Sequence, residues 1–364
     1  MKKKSVVYLI IALLVLVGVA FWFARKCYTD KRNDSVSIGA VLPLTGDAAS
    51  YGTSLKKGLD LALDGSNVKI VYEDSKGEPK TAVSIVNKLI SVDKVGILIG
   101  DMFTNTTMAI MPIATKNGIL LLTPTASSSE LSEKGETTFR LYPSEKEEGE
   151  VLLSFYQKKF NDQKGAIVVV NEDAMLKVAS IINHDGTKQV IEYTAGLVDF
   201  TPIIQKIDRN TGVVFLIGYF EECKQLIKQS IEMNKHFSFI GLSTLYTPLL
   251  TTTLGSVQSP IYMSAPKASL DTANVFTADF IKKYLSKYNE EPDIWAGYGY
   301  DSGCIVLNVI QSSKENGTSY VKEMYNVRGF DGITGMTTIN EDRSINKSMD
   351  IVQYANGDFS AVSD

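Results

Sequence analysis

The sequence is poor in the residues that build metal centres. It has two histidines, His184 and His236, and three cysteines, Cys27, Cys223 and Cys304, among 364 residues. None stands in a Cys-x-x-Cys or His-x-x-x-His spacing, so no His/Cys metal centre is expected, and the scattered cysteines define no disulfide. A charge excess of one sign is missing too. The formal net charge is −4, without the basic field that would draw nucleic acid. There is no Gly-x-Ser-x-Gly elbow, and neither histidine has a triad context. The run "GYGYDSG" (297–303) is half of a dinucleotide glycine pattern, but it follows "PDIWA" rather than a strand, which argues against nucleotide binding. With no nucleophile, base or cofactor motif, an enzyme is not expected and no cofactor is implied.

Long apolar runs are also scarce, with one exception. Residues 6–24, "VVYLIIALLVLVGVAFWFA", lie between "MKKK" and "RKC". Nineteen helical residues span roughly 28 Å, about the hydrocarbon thickness of a bilayer. The run ends in Phe21-Trp22-Phe23, an aromatic belt, rather than in the small residues of a cleavage site. Arg25 and Lys26 precede Cys27, where a lipoprotein signal would place small residues. Residues 1–35 therefore read as an uncleaved transmembrane anchor with a polar tether; the alternative is a cleaved signal and a secreted or periplasmic product. Either way the remainder is expected outside the cytoplasm.

Beyond residue 35 strand and helix patterns alternate. "VSIGAVLPL", "VKIVYED", "VGILIGD" and "GILLLTP" read as strands, separated by helical stretches with apolar faces. The short runs are apolar throughout, as in parallel strands covered on both faces. A helix at 106–116 is expected to be kinked or shortened at Pro112. The same rhythm restarts near residue 145 and runs to "FSFIGLS", giving two α/β lobes of doubly wound parallel sheet. The chain is expected to return to the first lobe near "PIYMSAP". Lobe 1 is assigned to residues 36–142 plus 264–338 and lobe 2 to 143–263 plus 339–364.

In open α/β sheets ligands bind beyond the carboxyl ends of strands, near helix N-termini. Four such ends stand out: "PLTGDAASYG" with Tyr51, "GDMFTNTT" with Thr104, the uncharged hydroxyl run at 123–129, and "IGYFEE" with Tyr219. Glu221 and Glu222 in the last one fit ordinary helix-start acids.

These stretches together, "IGAVLPLTGDAASYG", "IGDMFTNTTMAIMPIATKNGILLLTPTASSSELSEKG", "DFTPIIQKI", "FLIGYFEE" and "AGYGYD", resemble the leucine/isoleucine/valine-binding protein family. These are type I periplasmic solute-binding proteins of ABC importers, two lobes joined by a hinge of three crossing segments. The resemblance implies a small polar ligand (amino acid, amide or small carboxylic acid), an ABC permease as partner and no enzymatic activity. By position it implies that Thr104 and the Thr125, Ala126 and Ser127 turn hold the ligand's head. Met102 and Tyr51 would line the pocket, Tyr219 would close from the second lobe, and Trp295 would stand at the far rim. Two positions depart from the family pattern. Leu176-Lys177 replace a tyrosine-glycine pair, and Ser243 replaces the acid that pairs with an α-ammonium, which leaves Glu221, Glu222 or Asp101 as substitutes. A sensing ectodomain for a signalling partner is the alternative reading.

Overall fold

The structure is a computed structural model, and it describes residues 35–46, 48–257, 259–266 and 275–362. The apolar run at 6–24 lies outside the described residues. Among those described, no helix is long and apolar enough to cross a membrane.

The first half runs β1 (Val36–Leu42), α1 (Ala49–Ala62), β2 (Val68–Asp74), α2 (Pro79–Ser91), β3 (Ile97–Gly100), α3 (Thr104–Lys116), β4 (Leu120–Thr123), α4 (Glu130–Lys134) and β5 (Thr138–Arg140). Next come α5 (Glu145–Lys159), β6 (Lys164–Val170), α6 (Asp173–Ile182), β7 (Gln189–Tyr193), α7 (Thr201–Lys206), β8 (Thr211–Ile217), α8 (Phe220–Glu232) and β9 (Ser238–Gly241). The last stretch holds α9 (Pro248–Leu254), β10 (Ile261–Pro266), α10 (Val275–Tyr288), α11 (Ile294–Asn316) and α12 (Tyr320–Met324). It closes with β11 (Phe330–Gly332), β12 (Gly335–Ile339), β13 (Ile345–Asn346), β14 (Met349–Ala355) and β15 (Asp358–Ala361).

Five strands form an all-parallel sheet in the order β2-β1-β3-β4-β5. Side chains alternate across it. Ile38, Ala40 and Leu42 join Ile97, Ile99, Leu120 and Leu122 on the face packed by Leu55 and Leu59 of α1 and Ile305 and Val309 of α11. Val41, Leu98 and Leu121 face α2 and α3 through Val86, Leu89 and Ile110. A fully buried leucine or isoleucine contributes about 1.5–3 kcal/mol, so both faces must be covered for these strands to be stable. The α1/α11 contact depends on missing side chains. A Cβ on Gly299 would lie 2.0 Å from the Leu55 carbonyl oxygen, and one on Gly58 would lie 1.9 Å from that of Ala296.

The second sheet has seven strands, β15-β14-β10-β9-β8-β6-β7. The five strands from β10 to β7 are parallel, but β14 and β15 pair antiparallel at the other edge. The expectation of a purely parallel sheet is corrected here: β14 alternates buried and part-exposed residues, the pattern of a strand with one wetter face. The lobe boundaries shift as well. Strand β10 carries the second sheet on to Pro266, three residues past the expected limit. Ile339 and Ile345, of a small antiparallel sheet β11-β12-β13, pack into the first sheet's core rather than the second's. Helix α3 begins at Thr104, not residue 106, and runs through Pro112 without ending there.

Candidate functional site

Each strand end delivers its side chain to the site by a local device. At β3 the chain turns at Gly100, whose φ of +112° and closeness to the Val41 carbonyl admit no Cβ. The following Asp101 points inward. Its Oδ1 accepts the Phe103 N–H at 3.1 Å and its other oxygen accepts the Ser75 hydroxyl. Burial pushes its carboxyl up to about 6. It lies under the site and does not face it.

The hydroxyl run after β4 divides into two groups. The Thr123 hydroxyl donates to the Asp101 carbonyl at 2.7 Å and accepts the Ala126 N–H at 3.2 Å. The Thr125 hydroxyl donates to the Met102 carbonyl at 3.1 Å. These two side chains stitch the β4 turn to the β3 turn, and the Thr125 hydroxyl has no proton left for a ligand. The Thr104 hydroxyl accepts the Ser128 N–H at 3.4 Å and keeps its own proton. The Ser127 hydroxyl and the N–H groups of Thr104, Thr125 and Ser127 have no hydrogen-bond partner among the described residues. Open donors at a helix start and an adjoining turn are suited to an anionic head.

In the second lobe Tyr219 N-caps α8, and its hydroxyl donates to Glu172 Oε2 at 2.7 Å. Glu172 N-caps α6 just past β6. Burial, with the nearby charge of Glu222, raises its carboxyl pKa while the Tyr219 hydrogen bond opposes this. Tyr219 also meets Phe103 of the first lobe edge-on, ring centroids 5.6 Å apart. Trp295 stands in the first turn of α11, which Asp293 caps by accepting the Ala296 N–H at 2.9 Å. Its ring packs edge-on to Tyr51 at 5.4 Å.

All eight residues named from the sequence, Tyr51, Met102, Thr104, Thr125, Ala126, Ser127, Tyr219 and Trp295, line one cleft of about 470 Å³ between the two lobes. The substitutes named for the missing acid do not. Glu221 pairs with Lys224 at 2.5 Å, Glu222 accepts the Gly196 N–H at 3.0 Å, and both face an adjoining hollow beyond Tyr219. Glu172 and Glu148, which sequence reasoning missed, line the cleft instead. A Ser144/Glu147 capping box starts α5 just after residues 141–143, where the chain leaves the first sheet, and turns Glu148 inward. Glu148 is fully buried: its Oε1 accepts Ser243 N–H at 3.1 Å and the Ser264 hydroxyl at 2.5 Å. Desolvation raises its pKa against those hydrogen bonds.

The charge balance of the lining is acidic. Glu130, Glu148, Glu172 and Asp173 face it, against Lys177. Lys177 is itself held by Glu130 at 2.9 Å and Glu145 at 3.6 Å.

Two α/β sheets, one parallel and one mixed, with a lined cleft between their strand ends make a class of molecule that holds a small solute. The chain belongs to the periplasmic binding protein family, whose model matches residues 35–358. It resembles the Leu/Ile/Val-binding protein homolog 3 of Brucella melitensis, 29% identical over 238 residues that cover 60% of this chain. That match spans 63% of the relative's length. The fold resembles the branched-chain amino acid substrate-binding protein LivJ of Streptococcus pneumoniae, solved with isoleucine (TM-score 0.81, 23% identity, 90% of this chain and 98% of that one). It also resembles an ABC transporter solute-binding protein of R. palustris solved with benzoate (TM-score 0.80, 19% identity, 90% and 95% covered). These relatives are solute-binding proteins, not enzymes.

Proposed function

We propose that this protein is an extracytoplasmic solute-binding protein that captures a small amino acid between two closing lobes and delivers it to an ABC importer. In this reading residues 6–24 tether it to the membrane. The ligand carboxylate seats on the Thr104 and Ser127 hydroxyls and the open N–H groups of Thr104, Thr125 and Ser127. Its ammonium meets Glu172, which takes the place of the acid absent at Ser243. Tyr51, Met102, Tyr219 and Trp295 wall the ligand in.

The observation that carries the reading is the split of polarity across the cleft, with open donors on the first lobe and uncompensated carboxylates on the second. A zwitterion satisfies both walls, whereas a purely anionic aromatic acid would leave Glu172 facing it unpaired. Native mass spectrometry of the full chain in detergent, with thermal melting against L-amino acids, their amides and benzoate, tests this. A stabilising α-amino acid raises the melting temperature with its concentration. Stabilisation by benzoate or a des-amino acid alone would reject it.

A further inference from the structure

Of the four carboxylates that border the cleft, Glu130 is paired with Lys177 and Asp173 is exposed to solvent; Glu172 and Glu148 are more enclosed, and no cation lies within ion-pair distance of either among the described residues. Glu172 uses one oxygen on Tyr219. Glu148 is more deeply set, against Ser243 and Ser264. Its Oε1 is crowded by the Ser243 N–H and hydroxyl, each at 3.1 Å, the Ser264 hydroxyl at 2.5 Å and the Tyr142 hydroxyl at 3.2 Å. Its Oε2 has only the shared Tyr142 hydroxyl at 3.3 Å. One carboxylate oxygen of a fully buried side chain therefore keeps open acceptor positions in a residue that lines the cleft.

The two acids are not alternatives for one ammonium. Glu172 follows β6 by two residues, and Ser243, which holds Glu148, follows β9 by two; β8 lies between those strands. Two strand spacings separate the ends by about 10 Å. A second loose end points the same way. The Trp295 indole N–H is buried in the cleft wall and has no acceptor among the described residues. An aliphatic side chain filling this space would leave an acceptor and a donor unpaired, an arrangement folded proteins avoid.

We propose that Glu148 sets the specificity of the cleft by accepting a hydrogen bond from a second donor group, a hydroxyl, amide or amine, on the ligand's side chain. This rests on the reading that the carboxylate and α-ammonium sit at Thr104/Ser127 and Glu172. The preferred amino acid is then one with a polar side chain, not a branched aliphatic one. A hydroxyl or primary amide also supplies the acceptor that the Trp295 N–H lacks.

The test is calorimetric titration of the full chain in detergent with near-isosteric pairs: L-valine and L-threonine, L-leucine and L-asparagine, L-phenylalanine and L-tyrosine. The donor-bearing member of at least one pair is expected to bind about 10-fold or more tightly, as sites built to hydrogen-bond a group reject the analogue lacking it. In Glu148→Leu that preference should vanish or invert, with Glu148→Gln between. The wild-type comparison needs no variant to fold. Equal or tighter binding of the apolar member in every pair overturns the proposal. So does an equal loss for both members in Glu148→Leu, which would put the α-ammonium at Glu148. If no amino acid binds and Thr104→Ala changes no titration, the reading of the cleft fails and this inference falls with it.

Discussion

The backbone N–H of Phe220, in the second lobe, donates to the Tyr51 hydroxyl oxygen of the first lobe at 2.9 Å. This hydrogen bond runs across the cleft mouth between the chain's own groups, so part of the attraction that holds the lobes together is built into the chain. Tyr51→Phe keeps the ring against Trp295 and removes only the acceptor. The loss of one neutral hydrogen bond, about 0.5–1.5 kcal/mol, should weaken ligand binding roughly 2- to 13-fold. Calorimetry reads the affinity, and small-angle scattering of the unliganded variant should report a more open shape.

Thr104→Ala and Ser127→Ala remove hydroxyl donors that the proposed carboxylate uses. Bonds to a charged group contribute roughly 1.5–3 kcal/mol each, so affinity should fall about 10- to 100-fold. Thr125→Val should cost binding much less directly, because its hydroxyl proton is already on the Met102 carbonyl. Its effect should appear in thermal stability instead. Equal binding losses in all three variants would contradict the division of labour seen in the turn.

Asp101 offers a pH signature. Its folded pKa of about 6 lies above the ordinary aspartate value, so the folded state holds a proton that the unfolded state has released. Stability should therefore decline as pH rises from about 4 to about 6, at up to ~1.4 kcal/mol per pH unit for this group. Urea melts of wild type and Asp101→Asn at pH 4.5 and 7 check it. The variant should lose this slope, and a slope unchanged by the substitution would assign it elsewhere.

Gly299→Ala forces a methyl group into the Leu55 carbonyl. Neither backbone can retreat without separating α1 from α11, so destabilisation of about 1–3 kcal/mol or more is expected by denaturant unfolding. Gly317→Ala, at the left-handed cap of α11 with open space around it, should act only through backbone strain and cost less.

The sheets are legible in the sequence because "ILIG" and the "LLL" of 120–122 are short apolar runs, as strands covered on both faces are. The cleft's hydroxyl wall is legible for the same reason: Thr104 and residues 123–127 sit where strands must end. Which hydroxyls are free is not legible, since Thr125 and Met102 become neighbours only once β3 and β4 pair. Glu148 is hidden by its setting in "SEKEEGE", which reads as a solvated helix start. The spacing of Glu145, Glu148 and Leu152 does place them on one helical face, and that face is buried. The partners that make Glu148 tolerable inside, Ser243 and Ser264, are far away in sequence. The antiparallel strands β11 to β15 do not stand out because they follow one another without the helices that mark the strand–helix rhythm elsewhere.

The position of β14 has a consequence for the order in which the molecule is made. It pairs with β10, yet all of α10, α11 and α12 are synthesised between them. As the chain emerges, β10 presents an unpaired edge until residues 349–355 arrive, more than eighty residues later. An open edge of buried strand is a template for pairing with a stranger. The second lobe is thus begun before most of the first lobe's closing helices and completed after them. A chain stopped anywhere short of β14 leaves that edge bare, and only the arrival of β14 removes the hazard.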